Sequence, residues 1–210
     1  MGERRIRKML RQMESGEPVR VTSAVATTTK LARCAAMAQK FGYEYADVRQ
    51  GGGPQGNQYV VLIVPDPAPE ARARAARNRA RYPRAADGGE LPRLAPDAVE
   101  LLKARITFDI TTMYTDRQLI LLTGFCAVPL ALTIGFAFGT GAVAVVLAGV
   151  VWAAVMALLP VGFAANRRFR ARCAALLRAA GFTPVTDPNG RLRYLPPGGR
   201  IPGHGNPFAG

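Results

Sequence analysis

The stretch QLILLTGFCAVPLALTIGFAFGTGAVAVVLAGVVWAAVMALLPVGFAAN, residues 118–166, runs for 49 residues between Arg117 and Arg167 without one charged side chain. All 28 Lys and Arg and all 14 Asp and Glu of the 210-residue chain lie outside it. A lone charge at a bilayer centre costs about 2.5–3.5 kcal/mol even on the mildest insertion scale, so segregation this complete points to lipid. One spanning helix needs about 20 apolar residues. The stretch is too long for one pass and right for two. Gly139-Thr140-Gly141 is the break, which leaves Leu119–Phe138 and Ala142–Ala165 as an antiparallel pair of spans. The plainer alternative is a buried hairpin in a soluble protein, but uncharged apolar runs of this length seldom occur in soluble folds.

Orientation follows from the flanks. Lys103, Arg105 and Arg117 precede the first span, Arg167, Arg168, Arg170 and Arg172 follow the second, and the turn carries no charge. The positive-inside rule then places both soluble parts in the cytoplasm. Gly135 and Gly139 form a GxxxG, and Ala144/Ala148 and Gly149/Ala153 continue a small-xxx-small pattern on the second span. Small residues let helix backbones approach closely in lipid, either within the hairpin or between copies. Pro129 and Pro160 predict kinks. Neither span holds an ionisable pair or a mid-span Asn or Gln, the usual marks of a transport pathway.

The remaining sequence is strongly basic. Acidic residues are outnumbered 20 to 13 before the hairpin and 8 to 1 after it, and Arg outnumbers Lys 24 to 4. An Arg- and Ala-rich composition is characteristic of a GC-rich bacterial genome, so the expected location is a bacterial plasma membrane. A cytoplasmic surface of this sign favours anionic headgroups or nucleic acid. Cys34, Cys126 and Cys173 are expected as free thiols in a reducing compartment or within lipid. The charged N-terminus has no apolar core of a signal peptide near it, so the first span should serve as an uncleaved insertion signal.

An internal repeat brackets the hairpin. Ala32-Arg33-Cys34-Ala35-Ala36 leads to Gly42-Tyr43, and Ala171-Arg172-Cys173-Ala174-Ala175 leads to Gly181-Phe182, at a constant offset of 139. Each copy reads as a helix ended by glycine at the left-handed position, then an aromatic residue and extended chain. The apolar stripes are Leu31, Cys34, Ala35, Ala38 and Phe41 in the first copy. In the second they are Phe169, Cys173, Leu176, Leu177 and Ala180. A strand pair follows each helix: Tyr43–Gln50 with Gln58–Val64, and Thr183–Asp187 with Arg191–Leu195. The Tyr-Val-Val-Leu-Ile-Val run reads as a strand buried on both faces. Asn189-Gly190 is a strong hairpin signal. In the last strand Leu192 and Tyr194 should point one way and Arg191 and Arg193 the other. Two such units, each marginal alone, are expected to dock into one four-stranded α+β domain.

The fold class is thus a two-helix membrane hairpin with a cytoplasmic α+β domain built from two helix–strand–strand units. Its segments are a basic amphipathic helix (1–20), a first helix–hairpin unit (21–66), an Arg/Ala-rich segment and linker (67–98) and a juxtamembrane helix (99–117). The two-pass hairpin (118–166), a second unit (167–195) and a Pro/Gly tail read as disordered (196–210) follow. In the first helix Ile6, Met9, Leu10 and Met13 form a stripe beside Arg4, Arg5, Arg7, Lys8 and Arg11. Pro67–Arg84 reads as a helix without an apolar stripe, carrying Arg72, Arg74, Arg77, Arg79 and Arg81. Val99–Tyr114 fits a helix running into the first span, against a strand-like alternation of Ile106, Phe108, Ile110 and Thr112.

No residues suggest catalysis, a cofactor or a metal. The glycines of Gly51–Gly56 join two strands and lack the Lys of a nucleotide loop, His204 sits alone in the tail, and Asp66, Asp109 and Asp116 are scattered. The sequence therefore leads to a non-enzymatic integral membrane protein that acts as a scaffold or accessory subunit. Two alternatives stand beside it: a membrane tether for nucleic acid, and a holin-like self-assembling pore. The arginines of residues 4–11 and 72–81 are the expected contacts to anionic lipid or nucleic acid. The small residues of the spans are the expected packing surface, within the chain, a homo-oligomer or a larger membrane complex.

Overall fold

The apolar stretch folds as two helices, α5 (Asp116–Ala137) and α6 (Ala142–Ala179), with α6 continuing 38 residues without interruption. The structure, a computed structural model, describes residues 2–23, 28–51, 58–114, 116–137, 141–188 and 190–198. Preceding them are α1 (Gly2–Met13), β1 (Val19–Ser23), α2 (Thr28–Lys40), β2 (Tyr43–Gly51), β3 (Gln58–Pro65), α3 (Pro69–Arg81) and α4 (Pro96–Thr111); β4 (Thr183–Thr186) and β5 (Leu192–Leu195) close the order. The architecture is α+β, and both α5 and α6 are long and apolar enough to cross a membrane. The chain divides into two units: Met1–Ile110 with Cys173–Gly210, and Thr111–Arg172. Residues from both sides of the hairpin thus share the first unit.

Within that unit the strands do not form one sheet. β1, β3 and β2 make a three-stranded antiparallel sheet in that order, and β4 and β5 form a separate pair. The expected four-stranded domain thus holds five strands among the described residues, divided between two sheets. β1 supplies a strand that was not anticipated, although Val19 and Val21 alternate with Arg20 and Thr22 and face the core. It pairs from Val19↔Ile63 to Ser23↔Tyr59. β3 is the centre strand, and Val61, Leu62 and Ile63 are all at most 1% exposed. A strand sandwiched on both faces needs apolar residues at consecutive positions.

The helices pack as their stripes direct. Ile6, Met9, Leu10 and Met13 of α1 are buried, and α1 lies on α2 and β1. Leu31, Cys34, Ala35, Ala38 and Phe41 are buried in turn. Both repeat glycines adopt the left-handed conformation, Gly42 at φ 84° and Gly181 at φ 81°. At Gly42 a Cβ would stand 2.8 Å from Ala75 Cβ, so this turn lets α3 press its alanines against the chain. At Gly181 the helix closes by Phe182 N–H donating to Leu177 O at 3.0 Å, the six-to-one bond of a Schellman end.

Two expectations about the second half change, and one about the juxtamembrane helix. The helix of the second half is not separate but the end of α6. Only Cys173, Ala174 and Leu177 of that end are buried, while Phe169 and Leu176 are each 47% exposed. Leu177 packs with Ala104, Phe108, Cys173, Ala174 and Tyr194, flanked by Leu101 and Phe182. Phe108 and Tyr194 meet edge to face at 5.0 Å. α4 is a helix, as favoured over the strand reading, but ends at Thr111 rather than running into α5. Residues 52–57, 138–140 and 199–210 lie outside the described residues, and with them most of the glycine turn, Gly139, His204 and nearly all of the tail.

Candidate functional surfaces and a buried ion cluster

The apolar helices leave their large side chains uncovered. Leu121, Phe125, Val143, Val145, Leu158 and Val161 are each at least 66% exposed. Of the apolar windows only 12% (α5) and 6% (α6) is buried. A soluble core hairpin would be mostly buried, whereas the described residues supply little cover for these side chains. Small residues account for the burial that exists: Ala127 and Ala131 on α5, and Ala144 on α6. Ala148 is half-buried, Gly149 and Ala153 are exposed, and the packing of Gly135 lies outside the described residues.

The two basic helices divide into free and committed cations. Arg4, Arg5, Lys8 and Arg11 of α1 and Arg72, Arg77, Arg79 and Arg81 of α3 are exposed, although Arg72 donates to Pro67 O at 2.7 Å and Arg81 lies over the Tyr82 ring. Arg7 is tied to Glu3 (3.4 Å) and to Gly89 O (3.4 Å). Arg74 Nε donates to Gln39 O at 2.8 Å, and Asn78 Nδ2 to Lys40 O at 2.7 Å. The last carbonyls of α2 have no partner within their own helix, and α3 supplies these two. Arg74 is therefore structural. The apolar stripe of α1 is also committed: its methionines and Leu10 are core residues and do not reach a membrane interface.

Sequence reasoning missed the third feature. β2 carries a bulge between Tyr45 and Asp47, whose partners Ile63 and Leu62 are adjacent on β3. The extra residue, Ala46, breaks the two-residue alternation, and Tyr45, Ala46, Asp47 and Val48 are all buried. Into this bulge comes Arg193 of β5. Its guanidinium lies 3.1 Å from Asp47 Oδ1 and 3.4 Å from Asp109 Oδ2, and donates to Ala46 O. Arg191 approaches Asp47 at 3.5 Å and donates to Asp109 O. Tyr45 OH donates to Asp109 Oδ2 at 2.7 Å. Arg105, 4% exposed, lies over the rings of Tyr45 (4.9 Å) and Phe182 (5.8 Å).

This cluster buries Arg193 to 8% exposure, whereas Leu192 is 42% exposed, so burial along β5 does not follow its two-sided alternation. It also explains why β5 does not extend the larger sheet. Ala46 O, on the edge of β2, is taken by a side chain instead of a strand. Burial lowers the Arg105 guanidinium below its ordinary value, partly offset by Tyr45 and Asp109. Burial acts the same way on Arg193, but Asp109, Tyr45 and Asp47 outweigh it and raise the net value. Burial, with the neighbouring Asp109 charge, raises the Tyr45 phenol well above its usual range. Joining β2, α4 and β5, the cluster ties the two halves of the chain together. The signals were present but faint: Arg105 and Asp109 stand four apart on a largely apolar helix, and Asp47 shares the parity of Tyr43 and Tyr45.

Glu44 beside the cluster provides a pH test. Burial, then Asp66, raises its carboxyl, and Arg105 opposes. The folded state therefore binds this proton more tightly than the unfolded chain, so ionised Glu44 costs stability at neutral pH and the cost fades as pH falls. Glu44→Gln should raise the thermal midpoint at pH 7–8. The gain should shrink as pH approaches the ordinary carboxylate value of about 4.3; a gain that grew in acid would refute the assignment.

Among the described residues, no three His, Cys, Asp or Glu side chains converge as a metal site. Cys34, Cys126 and Cys173 are free thiols. No protein-family model, no curated protein and no solved structure matches this chain.

Proposed function

We propose that this chain is a non-enzymatic, two-pass integral protein of a bacterial plasma membrane, with both soluble portions in the cytoplasm. There its basic α+β unit serves as scaffold or accessory subunit for a membrane complex. The observation that carries the reading is the uncharged stretch of the two helices, whose large apolar side chains are left uncovered by the described residues. Lipid is the solvent that removes this cost. Lys103, Arg117, Arg167, Arg168, Arg170 and Arg172 support the orientation. Arg105 belongs to the buried cluster and adds little at the surface. The exposed cations of α1 and α3 are suited to anionic headgroups, at about 1 kcal/mol per basic residue near the surface.

Single-stranded nucleic acid is a poorer fit. Such binders stack bases on exposed aromatic rings; of the strand tyrosines, Tyr43, Tyr45 and Tyr194 are all at most 5% exposed, and Tyr59 is half-buried. Self-association has one supporting feature, the uncovered Gly149 and Ala153 on α6.

Labelling tests the topology. In a background with Cys34, Cys126 and Cys173 replaced, an impermeant maleimide should modify Thr140→Cys in intact cells. It should leave Gly199→Cys unlabelled until the membrane is broken. The reverse pattern rules out the orientation, and labelling of both sites rules out insertion as a hairpin.

A further inference from the structure

A cleft of about 270 Å³ opens between the C-terminal ends of α1 and α3. Its floor is apolar: Leu10, Met13, Phe41 and Ala85 are each at most 6% exposed. Arg79, Glu14, Tyr82, Pro83 and Ala86 complete the lining. Both walls are pinned. Tyr43 OH donates to Met13 O at 2.7 Å, holding the end of α1. Tyr82 N–H donates to Asn78 O at 2.9 Å, Gly89 N–H donates to Arg84 O at 2.7 Å, and Arg7 reaches Gly89 O. The cleft is thus preformed rather than opened by a ligand.

Its size and charge limit what it can hold. The volume falls below the roughly 300–1,000 Å³ of sites that enclose a whole small-molecule ligand, and suits one large apolar side chain, the anchor of a longer segment. The rim is cationic on the α3 side. Arg79 lines it, Arg81 lies over the Tyr82 ring at 5.7 Å, and Arg84 projects exposed from the following turn. Glu14 is the only acid in the lining.

We propose that this cleft docks an acidic segment of a partner protein, with one apolar side chain seated between Met13 and Phe41 and flanking carboxylates on Arg79, Arg81 and Arg84. The proposal rests on the scaffold reading and identifies the partner chemistry for it. Charge complementarity of this kind sets partner choice and association rate, while the buried anchor sets the lifetime of the complex.

The test uses the full chain in phosphatidylcholine nanodiscs, panned against a random 12-residue peptide library. Enriched peptides should carry an aromatic or branched apolar residue flanked by Asp or Glu. By fluorescence anisotropy, Arg79→Glu and Ala86→Trp, which fills the cleft, should each weaken the leading peptide at least tenfold. Arg4→Glu, on the exposed face of α1, should change it less than twofold. Arg79 and Arg4 are exposed, so these two variants keep the comparison valid even if Ala86→Trp disturbs packing. No enrichment, enrichment of peptides without acids, or affinity indifferent to Arg79→Glu overturns the proposal. If no peptide is enriched, yet Arg79→Glu abolishes capture of phosphatidylglycerol vesicles, the cleft belongs to lipid and the proposal likewise falls. A correct labelling pattern at residues 140 and 199 alongside a negative panning result would overturn this inference alone.

Discussion

Arg193→Ala should destabilise the soluble unit by about 3–5 kcal/mol, the cost of removing one partner from a buried ion pair. Arg193 is the cation nearest both Asp47 and Asp109, and its removal takes the closest countercharge from two carboxylates with side chains 7% and 1% exposed, leaving Asp47 with Arg49 at 3.5 Å and Arg191. Ala46 O loses its donor as well. Arg191 stays beside Asp47 at 3.5 Å, so the lower end of the range is the better estimate. Because the chain holds two units, a single unfolding free energy is not well defined. Amide exchange of β2 and β5 in detergent reports the local value. Protection should fall in both strands together, although they lie in different sheets and some 140 residues apart. Against Asp109→Ala, a double-mutant cycle should return a coupling of about 0.5–3 kcal/mol. A loss below about 1 kcal/mol would mean that apolar contacts alone hold the seam.

Leu177→Ala should cost about 2–5 kcal/mol, the range for emptying a buried leucine site. Leu177 is 0% exposed, among Ala104, Phe108, Tyr194 and its helix neighbours Cys173 and Ala174. The lining comes from α4, α6 and β5, so the cavity could close only by moving elements from both halves. Leu176→Ala is the control: one residue away and 47% exposed, it should cost less than about 0.5 kcal/mol, as a surface change does. Amide exchange in α4 separates the outcomes. If α4, expressed in the N-terminal region alone, kept its full protection, the C-terminal half would contribute nothing to this core.

Features that depend on local pattern can be read directly from the residues. An uncharged run long enough for two helices needs no tertiary information, because the cost of a charge in lipid depends on the residue and its depth. The stripe of α1 was legible since one helical face either is or is not apolar. The glycines at 42 and 181 were legible since only glycine adopts positive φ freely at a helix end. Tertiary structure alone decided where the polar groups went. The bulge at Ala46 lets Tyr45, Ala46, Asp47 and Val48 be buried in succession, something no strict alternation can foretell. Arg193 looks solvent-facing in its own hairpin and is buried only because carboxylates from β2 and α4 meet it there. Long-range charge pairing leaves no period in the chain. Which strands share a sheet and which arginines are spent inside the protein were therefore settled by packing.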